Sequence, residues 1–200
     1  MAVLGGTQLF LSNWGVASDP HTYKALNIKH VVNCTVELPF VDEIADFMDA
    51  QALAKGLNPE GPGEPMMQKP INVELRVQLA GRLRVPVQDG TDQRICDYFQ
   101  ESVGFLRRAV DSQSGHILIH CKHGQSRSAT VLAAFMLHVA RQAGTPKTAQ
   151  EVLAELKACR PRVSPNLGFL RQLDDFAEAK CGVLCPSSSQ EPQARPTPSV

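Results

Sequence analysis

The stretch His116-Ile-Leu-Ile-His-Cys-Lys-His-Gly-Gln-Ser-Arg-Ser-Ala-Thr-Val-Leu-Ala-Ala-Phe135 changes character twice. Residues 116–120 form a short β-prone run entered through Gly115, the pattern of a buried strand. From Ser128 the chain turns apolar and small, without a breaker until Gly144, which predicts a helix over Ser128–Gln142. A brief loop containing Gly and Ser joins the two. Strand, tight loop and helix in this order are the unit from which an α/β layer is built.

Upstream, Gln8-Leu-Phe-Leu11 predicts a short strand. Ser18 or Asp19 supplies a cap for a helix that begins at Pro20 and runs to about Leu26. Lys29-His-Val-Val-Asn-Cys-Thr35 has the β-branched density of a buried strand. Val41, Ile44, Met48 and Ala52 recur at helical spacing, predicting a helix over about 41–55. Asn58-Pro-Glu-Gly-Pro-Gly-Glu-Pro65 forbids regular structure. Residues 71–80 fit a strand or a helix equally. Arg82-Leu-Arg-Val-Pro-Val87 is extended, with Pro86 at a strand edge or end. After Gly90-Thr91, the positions Ile95, Phe99, Val103, Leu106 and Val110 line one face of a long helix.

Downstream, Thr145-Pro146 opens a helix that runs to about Cys159, and Arg160-Pro161 stops it. Ser164-Pro165 caps a last helix to about Lys180. Beyond it the composition is Pro- and Ser-rich, as in disordered tails. Strands alternating with helices predict a largely parallel sheet covered on both faces.

The composition narrows the class of protein. The chain has 200 residues, 43% of them hydrophobic, enough for one globular domain. Its 20 basic and 20 acidic residues cancel, so no global field draws it to nucleic acid or to an anionic membrane. No run of about 18 apolar residues is present to cross a bilayer. The start, Met1-Ala-Val-Leu-Gly-Gly6, lacks the features of a signal peptide, and Ala2 fails the myristoylation pattern. The expectation is a cytoplasmic protein with access to the nucleus. Six cysteines without a C-x-x-C pair argue against structural zinc and are expected to be thiols.

In a parallel sheet, ligands bind where strands end and helices begin. The loop His120-Cys-Lys-His-Gly-Gln-Ser-Arg-Ser128 lies at such a junction. A short strand-to-helix loop turns successive peptide N–H groups toward one point, and the helix adds its positive end, so the loop is an anion cradle. Gly124 permits a backbone conformation that other residues resist. Arg127 presents a planar fork to two phosphate oxygens. Cys121, under this positive potential, is expected to be a thiolate near neutrality and a nucleophile toward phosphorus held in the cradle. Lys122, His123, Gly124, Gln125 and Ser126 complete the substrate-binding loop. The alternative is a core cysteine followed by a surface arginine. The H-C-x5-R spacing arises by chance in roughly one chain in a hundred of this composition, and the glycine, the hydroxyl at 128 and the strand–loop–helix context disfavour coincidence further.

His120-Cys121-x5-Arg127-Ser128 resembles the signature of the cysteine-based protein tyrosine phosphatases, and the remainder resembles the small dual-specificity branch. The resemblance covers about residues 7–180. It is carried also by Gln8-Leu-Phe-Leu-Ser-Asn13, Val31-Val-Asn-Cys-Thr-Val-Glu37, Val85-Pro-Val-Gln-Asp89 and Ser164-Pro-Asn-Leu-Gly-Phe169. It implies an α/β fold with a central, mostly parallel mixed sheet flanked by helices. A catalytic domain over 1–182, with an insertion at about 38–82, would be followed by a disordered tail over 183–200.

The implied mechanism has two steps: Cys121 forms a phosphocysteine while a carboxylic acid protonates the leaving oxygen, then the same carboxylate activates water. The matching acid is Asp89, with Asp92 the second choice and a plain Asp-Gly turn the structural alternative. Ser128 matches a hydroxyl that assists departure of the thiolate. His120 matches a residue that stabilises the loop and the thiolate through hydrogen bonds, rather than acting as a general base. Asn166 matches an asparagine that braces the loop, though a helix-start role fits equally.

No metal or cofactor is implied, and the histidines at 120 and 123 lack further ligands at metal spacing. Cys34 ends a strand expected beside Cys121; core packing is the favoured reading, and a disulfide with Cys121 the lesser one. The expected substrate is a phosphoprotein carrying phosphotyrosine or phosphoserine and phosphothreonine. Phosphoinositides, RNA 5′ phosphates and a binding module without hydrolysis are the alternatives. Nucleic-acid binding and membrane insertion are not expected, and the oligomeric state is left open.

Overall fold

The computed structural model describes residues 2–44 and 77–178. Its centre is a five-stranded sheet built from β1 (Ala2–Leu4), β2 (Thr7–Ser12), β3 (Ile28–Asn33), β4 (Gly81–Arg84) and β5 (His116–His120), in the order β1-β2-β5-β3-β4. β1 runs antiparallel to β2, and the other pairs are parallel. This is the largely parallel sheet that the alternation of elements predicts, mixed as the family resemblance implies.

Period-two alternation along the strands divides the core. Val32, Ile117 and Ile119 face a large cluster with the helices α3 (Phe99–Ser112), α4 (Arg127–Gln142), α5 (Ala149–Cys159) and α6 (Leu167–Glu178). Val31 and Leu118 face the opposite way. They pack with Ala17 of α1 (Trp14–Ala17), Tyr23 of α2 (Pro20–Ala25), and Phe40 and Val41. β5 is buried on both faces, in keeping with the uninterrupted apolar run Ile117-Leu118-Ile119 at its centre. α4 is buried on most of its surface, with Leu132, Ala133, Ala134 and Phe135 all at or below 2% exposure.

Several sequence expectations change at element ends. The helix expected from Ile95 starts as a 3-10 turn over Ile95–Tyr98 and becomes α-helical at Phe99. The Val41–Glu43 segment is likewise a 3-10 turn, and residues 45–55 of the helix expected there lie outside the described residues, as does 58–65. Of the ambiguous 71–80 stretch, residues 77–80 carry no regular element and 71–76 are outside the described part. β4 ends at Arg84 rather than continuing to Val87. Val85 still donates to Asn33 O (2.9 Å), but Pro86 has no N–H to continue the ladder, and Val87 turns back to Val85 O (2.9 Å).

Caps also resolve. Asp19, not Ser18, caps α2, accepting from His21 N–H at 3.0 Å. α5 begins at Ala149, three residues after Pro146, because Thr148 and Glu151 form a reciprocal capping box. Asn166 caps α6 in place of Ser164-Pro165, its Oδ1 accepting from Phe169 N–H at 3.0 Å. α6 is described to Glu178, and residues 179–180 are outside the described part. The short elements β1 and α1 were not legible from the sequence pattern. No described helix is long and apolar enough to cross a membrane.

Together these elements bring the C-terminal ends of β2, β5, β3 and β4 to one edge of the sheet. The loop after β3 is held there by Arg84, which donates to Thr35 O (3.2 Å) and Leu38 O (2.7 Å) and lies over the Phe40 ring. Asn33 adds a bond to Leu38 O at 2.8 Å.

Candidate active site

The loop between β5 and α4 occupies the middle of that edge. Its carbonyls are tied to four different parts of the fold. Lys122 O accepts from Trp14 N–H (3.2 Å) and Gln125 O from Ser164 N–H (2.9 Å). Arg160 donates through Nε to Gly124 O (2.9 Å) and through Nη2 to His123 O (3.5 Å). Ser126 O accepts from Thr130 N–H (2.8 Å) and from the Thr130 hydroxyl (2.9 Å). On the inner side, the Gly124 N–H donates to Cys121 Sγ at 3.2 Å and the Ser128 N–H also acts on that sulfur. This is the arrangement of an anion-binding nest at a helix N-terminus. Arg160, Trp14 and Ser164 were missed in the sequence reading. Arg160 there served only as a helix stop, and nothing local distinguishes it from any other helix-end arginine.

Gly124 shows how tightly the loop is held. Its φ is +68°, and a Cβ would lie 2.4 Å from Ser12 O and 2.9 Å from the Arg160 guanidinium. A Gly124→Ala variant is therefore expected to lose about 1–3 kcal/mol of stability through left-handed strain and the backbone clash. It should also bind inorganic phosphate more weakly. Thermal unfolding and phosphate titration of the same preparation check both effects.

Cys121 is buried at 1% exposure. Burial pushes its thiol up. The Ser128 hydroxyl, the Ser128 and Gly124 N–H groups and the Arg127 charge outweigh burial, so the net direction is down. The Ser128 Oγ donates to Sγ at 3.2 Å. Charge-assisted donors of this kind favour thiolate over thiol.

Arg127 opens α4 and is 5% exposed. Nη1 donates to Val87 O at 3.2 Å, and Nε lies 3.8 Å from Asp89 Oδ2 without a hydrogen bond among the described residues. A buried guanidinium with an unspent donor, facing a nest of N–H groups, is suited to an oxyanion.

Asp89 follows β4 and reaches the same point. Ser126 Oγ donates to its Oδ1 at 2.7 Å and Asn166 Nδ2 donates to the same oxygen at 2.9 Å. Asn166 also donates weakly to Gly90 O (3.4 Å), and its N–H reaches Ser126 Oγ (3.2 Å). Asn166 thus touches the acidic residue directly and the loop only through Ser126. Asp92 is exposed, its side chain meeting Gln93 Nε2 at 3.5 Å. Gly168 brings α6 against this segment: a Cβ there would lie 2.0 Å from Thr91 O.

The other expected residues fall around this centre. Lys122 and His123 are exposed, Gly124 is buried and Gln125 is half-buried. His120 is fully buried, with its ring 6.0 Å from that of Trp14. Burial lowers its pKa to about 4, so the ring is neutral at physiological pH. Neither ring nitrogen meets a partner with full hydrogen-bond geometry among the described residues, and a backbone interaction with Cys121 works against the effect of burial on the ring. Its carbonyl does brace the edge, accepting from Cys34 N–H at 2.8 Å. Cys34 is a fully buried free thiol, raised well above its ordinary value by burial and then by Cys121. No group of three metal-ligating side chains occurs among the described residues.

This fold and loop have clear counterparts. The sequence profile of the family described as "Dual specificity phosphatase, catalytic domain" matches residues 65–179. Dual specificity protein phosphatase 1 of Arabidopsis thaliana is 38% identical over 95 residues, covering 48% of this chain and 45% of that protein. Dual specificity protein phosphatase 15 of Rattus norvegicus is 39% identical over 97 residues, covering 48% of this chain and 39% of that protein. The match thus spans less than half the length of these relatives. Among solved structures, that of DUSP15 superposes with a TM-score of 0.61 at 26% identity, covering 90% of this chain and 87% of that one. Human DUSP28 shares the fold, with a TM-score of 0.60 at 24% identity over 89% of this chain and 96% of that one.

A parallel sheet with a cysteine–arginine loop at its carboxyl edge defines the class of cysteine-based phosphatases. Within it, the chain belongs to the dual-specificity phosphatase catalytic-domain family.

Proposed function

We propose that this protein hydrolyses phosphate monoesters on protein side chains, phosphotyrosine and phosphoserine or phosphothreonine alike, through a phosphocysteine intermediate. The observation that carries the proposal is the convergence on Cys121 Sγ of the Ser128 hydroxyl and the Gly124 N–H, each at 3.2 Å, beside the buried Arg127. The loop N–H groups of 122–127 and the Arg127 fork hold the phosphate. The Cys121 thiolate attacks phosphorus in line, the bond to the ester oxygen breaks, and protonated Asp89 gives its proton to that oxygen. Asp89, now a carboxylate, takes a proton from water as the water oxygen attacks the phosphocysteine. The phosphorus–sulfur bond breaks and Ser128 donates a hydrogen bond to the departing thiolate. Neutral His120 takes no proton in this scheme and packs beneath the loop.

A thiolate nucleophile survives in a reducing compartment, which supports a cytoplasmic or nuclear location. The catalytic domain is assigned to 1–182, with 183–200 as a tail outside it.

Asp89→Ala is expected to lower kcat on phenyl phosphate about 10²–10⁴-fold, the usual worth of a general acid. Asp92→Ala should leave it within about twofold, as for a surface substitution. Steady-state assays in the presence of EDTA make the comparison. An equal loss in both variants would reassign the acid. Turnover of phosphoinositides with none of phosphopeptides would overturn the substrate class.

A further inference from the structure

An acid on an irregular segment must be aimed. Asp89 lies beyond the end of β4, with a side chain 35% exposed and no regular element to fix its rotamer. Two donors converge on one of its oxygens: Ser126 Oγ at 2.7 Å and Asn166 Nδ2 at 2.9 Å, both to Oδ1. Ser126 Oγ in turn accepts the Asn166 N–H at 3.2 Å, closing a ring of three residues from three segments of the chain. The Asn166 amide is oriented by its own cap bond, Oδ1 accepting from Phe169 N–H at 3.0 Å. Ser126 is 6% exposed and immediately precedes Arg127, yet its hydroxyl is turned to Asp89, while the hydroxyl that contacts Cys121 is that of Ser128.

We propose that Ser126 is a positioning residue whose hydroxyl ties the phosphate loop to Asp89 and fixes which carboxyl oxygen carries the catalytic proton. This rests on Asp89 being the acid. Oδ1 accepts two hydrogen bonds and has little capacity left, so the proton resides on Oδ2. Oδ2 is the oxygen that faces Arg127, with Nε 3.8 Å away, and therefore the place where the phosphate is held. The ester oxygen of the bound phosphate meets that proton without a rotation of the carboxyl group, a form of pre-organisation. The aim matters most for a basic leaving group. A tyrosine phenolate has a conjugate-acid pKa of about 10, and a serine alkoxide is a far worse leaving group. The Ser126–Asn166 clamp thus suits the site to alkyl phosphates on serine and threonine as well as to aryl phosphates.

The test is a double-mutant cycle of Ser126→Ala and Asp89→Ala, assayed on phenyl phosphate and on 4-nitrophenyl phosphate, whose leaving group needs less protonation. Ser126→Ala is expected to lower kcat on phenyl phosphate about tenfold, the worth of one well-placed hydrogen bond. The loss should be smaller on 4-nitrophenyl phosphate, and the second substitution should add less than about twofold once Asp89 is gone. Ser126→Thr, which keeps the hydroxyl, should restore the rate, and inhibition by inorganic phosphate should match wild type in Ser126→Ala, whose loop N–H groups are intact. Equal fractional losses in both backgrounds, or on both substrates, would overturn the positioning role alone. Unchanged turnover by Asp89→Ala itself would remove the acid assignment and this inference with it. Should Ser126→Ala fail to fold, Asn166→Ser runs the same cycle. It removes the second donor to Oδ1 while keeping a helix-capping oxygen, and an additive loss there overturns the clamp.

Discussion

Cys121→Ser is expected to reduce turnover of aryl phosphates on the order of 10⁴-fold or more, since it removes the proposed nucleophile, the one part that the rest of the site cannot replace. Serine preserves the shape of the side chain and its buried setting, so the folded protein should persist with an unchanged thermal transition. What is lost is ionisation. The Ser128 hydroxyl and the Gly124 N–H at 3.2 Å from Sγ, with the Arg127 charge, shift a thiol below its ordinary value despite burial. The same donors fall far short of ionising an alcohol at neutral pH. The thiolate can be checked separately in the wild-type protein. Alkylation of Cys121 by iodoacetate should remain fast below the ordinary thiol pKa and slow only as the pH falls through the depressed value. Cys34 is shifted the opposite way by burial and should remain unmodified in the same mapping experiment. Full activity in Cys121→Ser would remove the phosphocysteine mechanism altogether.

Arg127→Ala is expected to cost about 10³-fold or more in kcat/KM, because it deletes the buried, charged fork proposed to hold the phosphate. At 5% exposure, with its Nη1 bond to Val87 O, the guanidinium also ties α4 to the strand-β4 side of the site. Some loss of stability should accompany the loss of rate. Arg127→Lys separates the two contributions. Lysine retains the positive charge but not the planar pair of donors, so it should recover part of the phosphate affinity and little of kcat. Phosphate titration and steady-state kinetics on the two variants give that split. A lysine variant as fast as wild type would show that charge alone suffices.

The contrast between Asp89 and Asp92 marks how far local patterns carry. Either carboxylate, on a Gly-containing turn after an extended segment, satisfies the same local description. Resemblance to a family chose Asp89, and the structure puts that side chain against Ser126, Asn166 and Arg127 while Asp92 stays at the surface. Asn166 is a similar case. Its sequence allowed a loop brace or a helix start, and in the fold it caps α6 with one side-chain atom and donates to Asp89 with the other. Arg160 shows the limit most clearly. Its bonds to Gly124 O and His123 O span more than thirty positions along the chain, with separations of 36 and 37 residues. No periodicity or local spacing encodes such a contact.

His116–Gln142 is the segment whose sequence by itself pointed to the fold class and to the chemistry expected of the loop. A strand buried on both faces favours an apolar centre, the helix packed on it favours apolar residues, and a short junction between them suits an anion at the helix N-terminus. Those are local features, so order and spacing singled out Cys121 and Arg127 as the expected nucleophile and phosphate clamp. The tertiary structure decided what surrounds them: which carboxylate lies beside Arg127, which hydroxyl donates to it, and which side chains hold the loop carbonyls. Those choices depend on β2, β4 and the start of α6 meeting at one sheet edge. Hydrogen bonds act over about 3 Å, and only folding brings residues from distant segments within that reach.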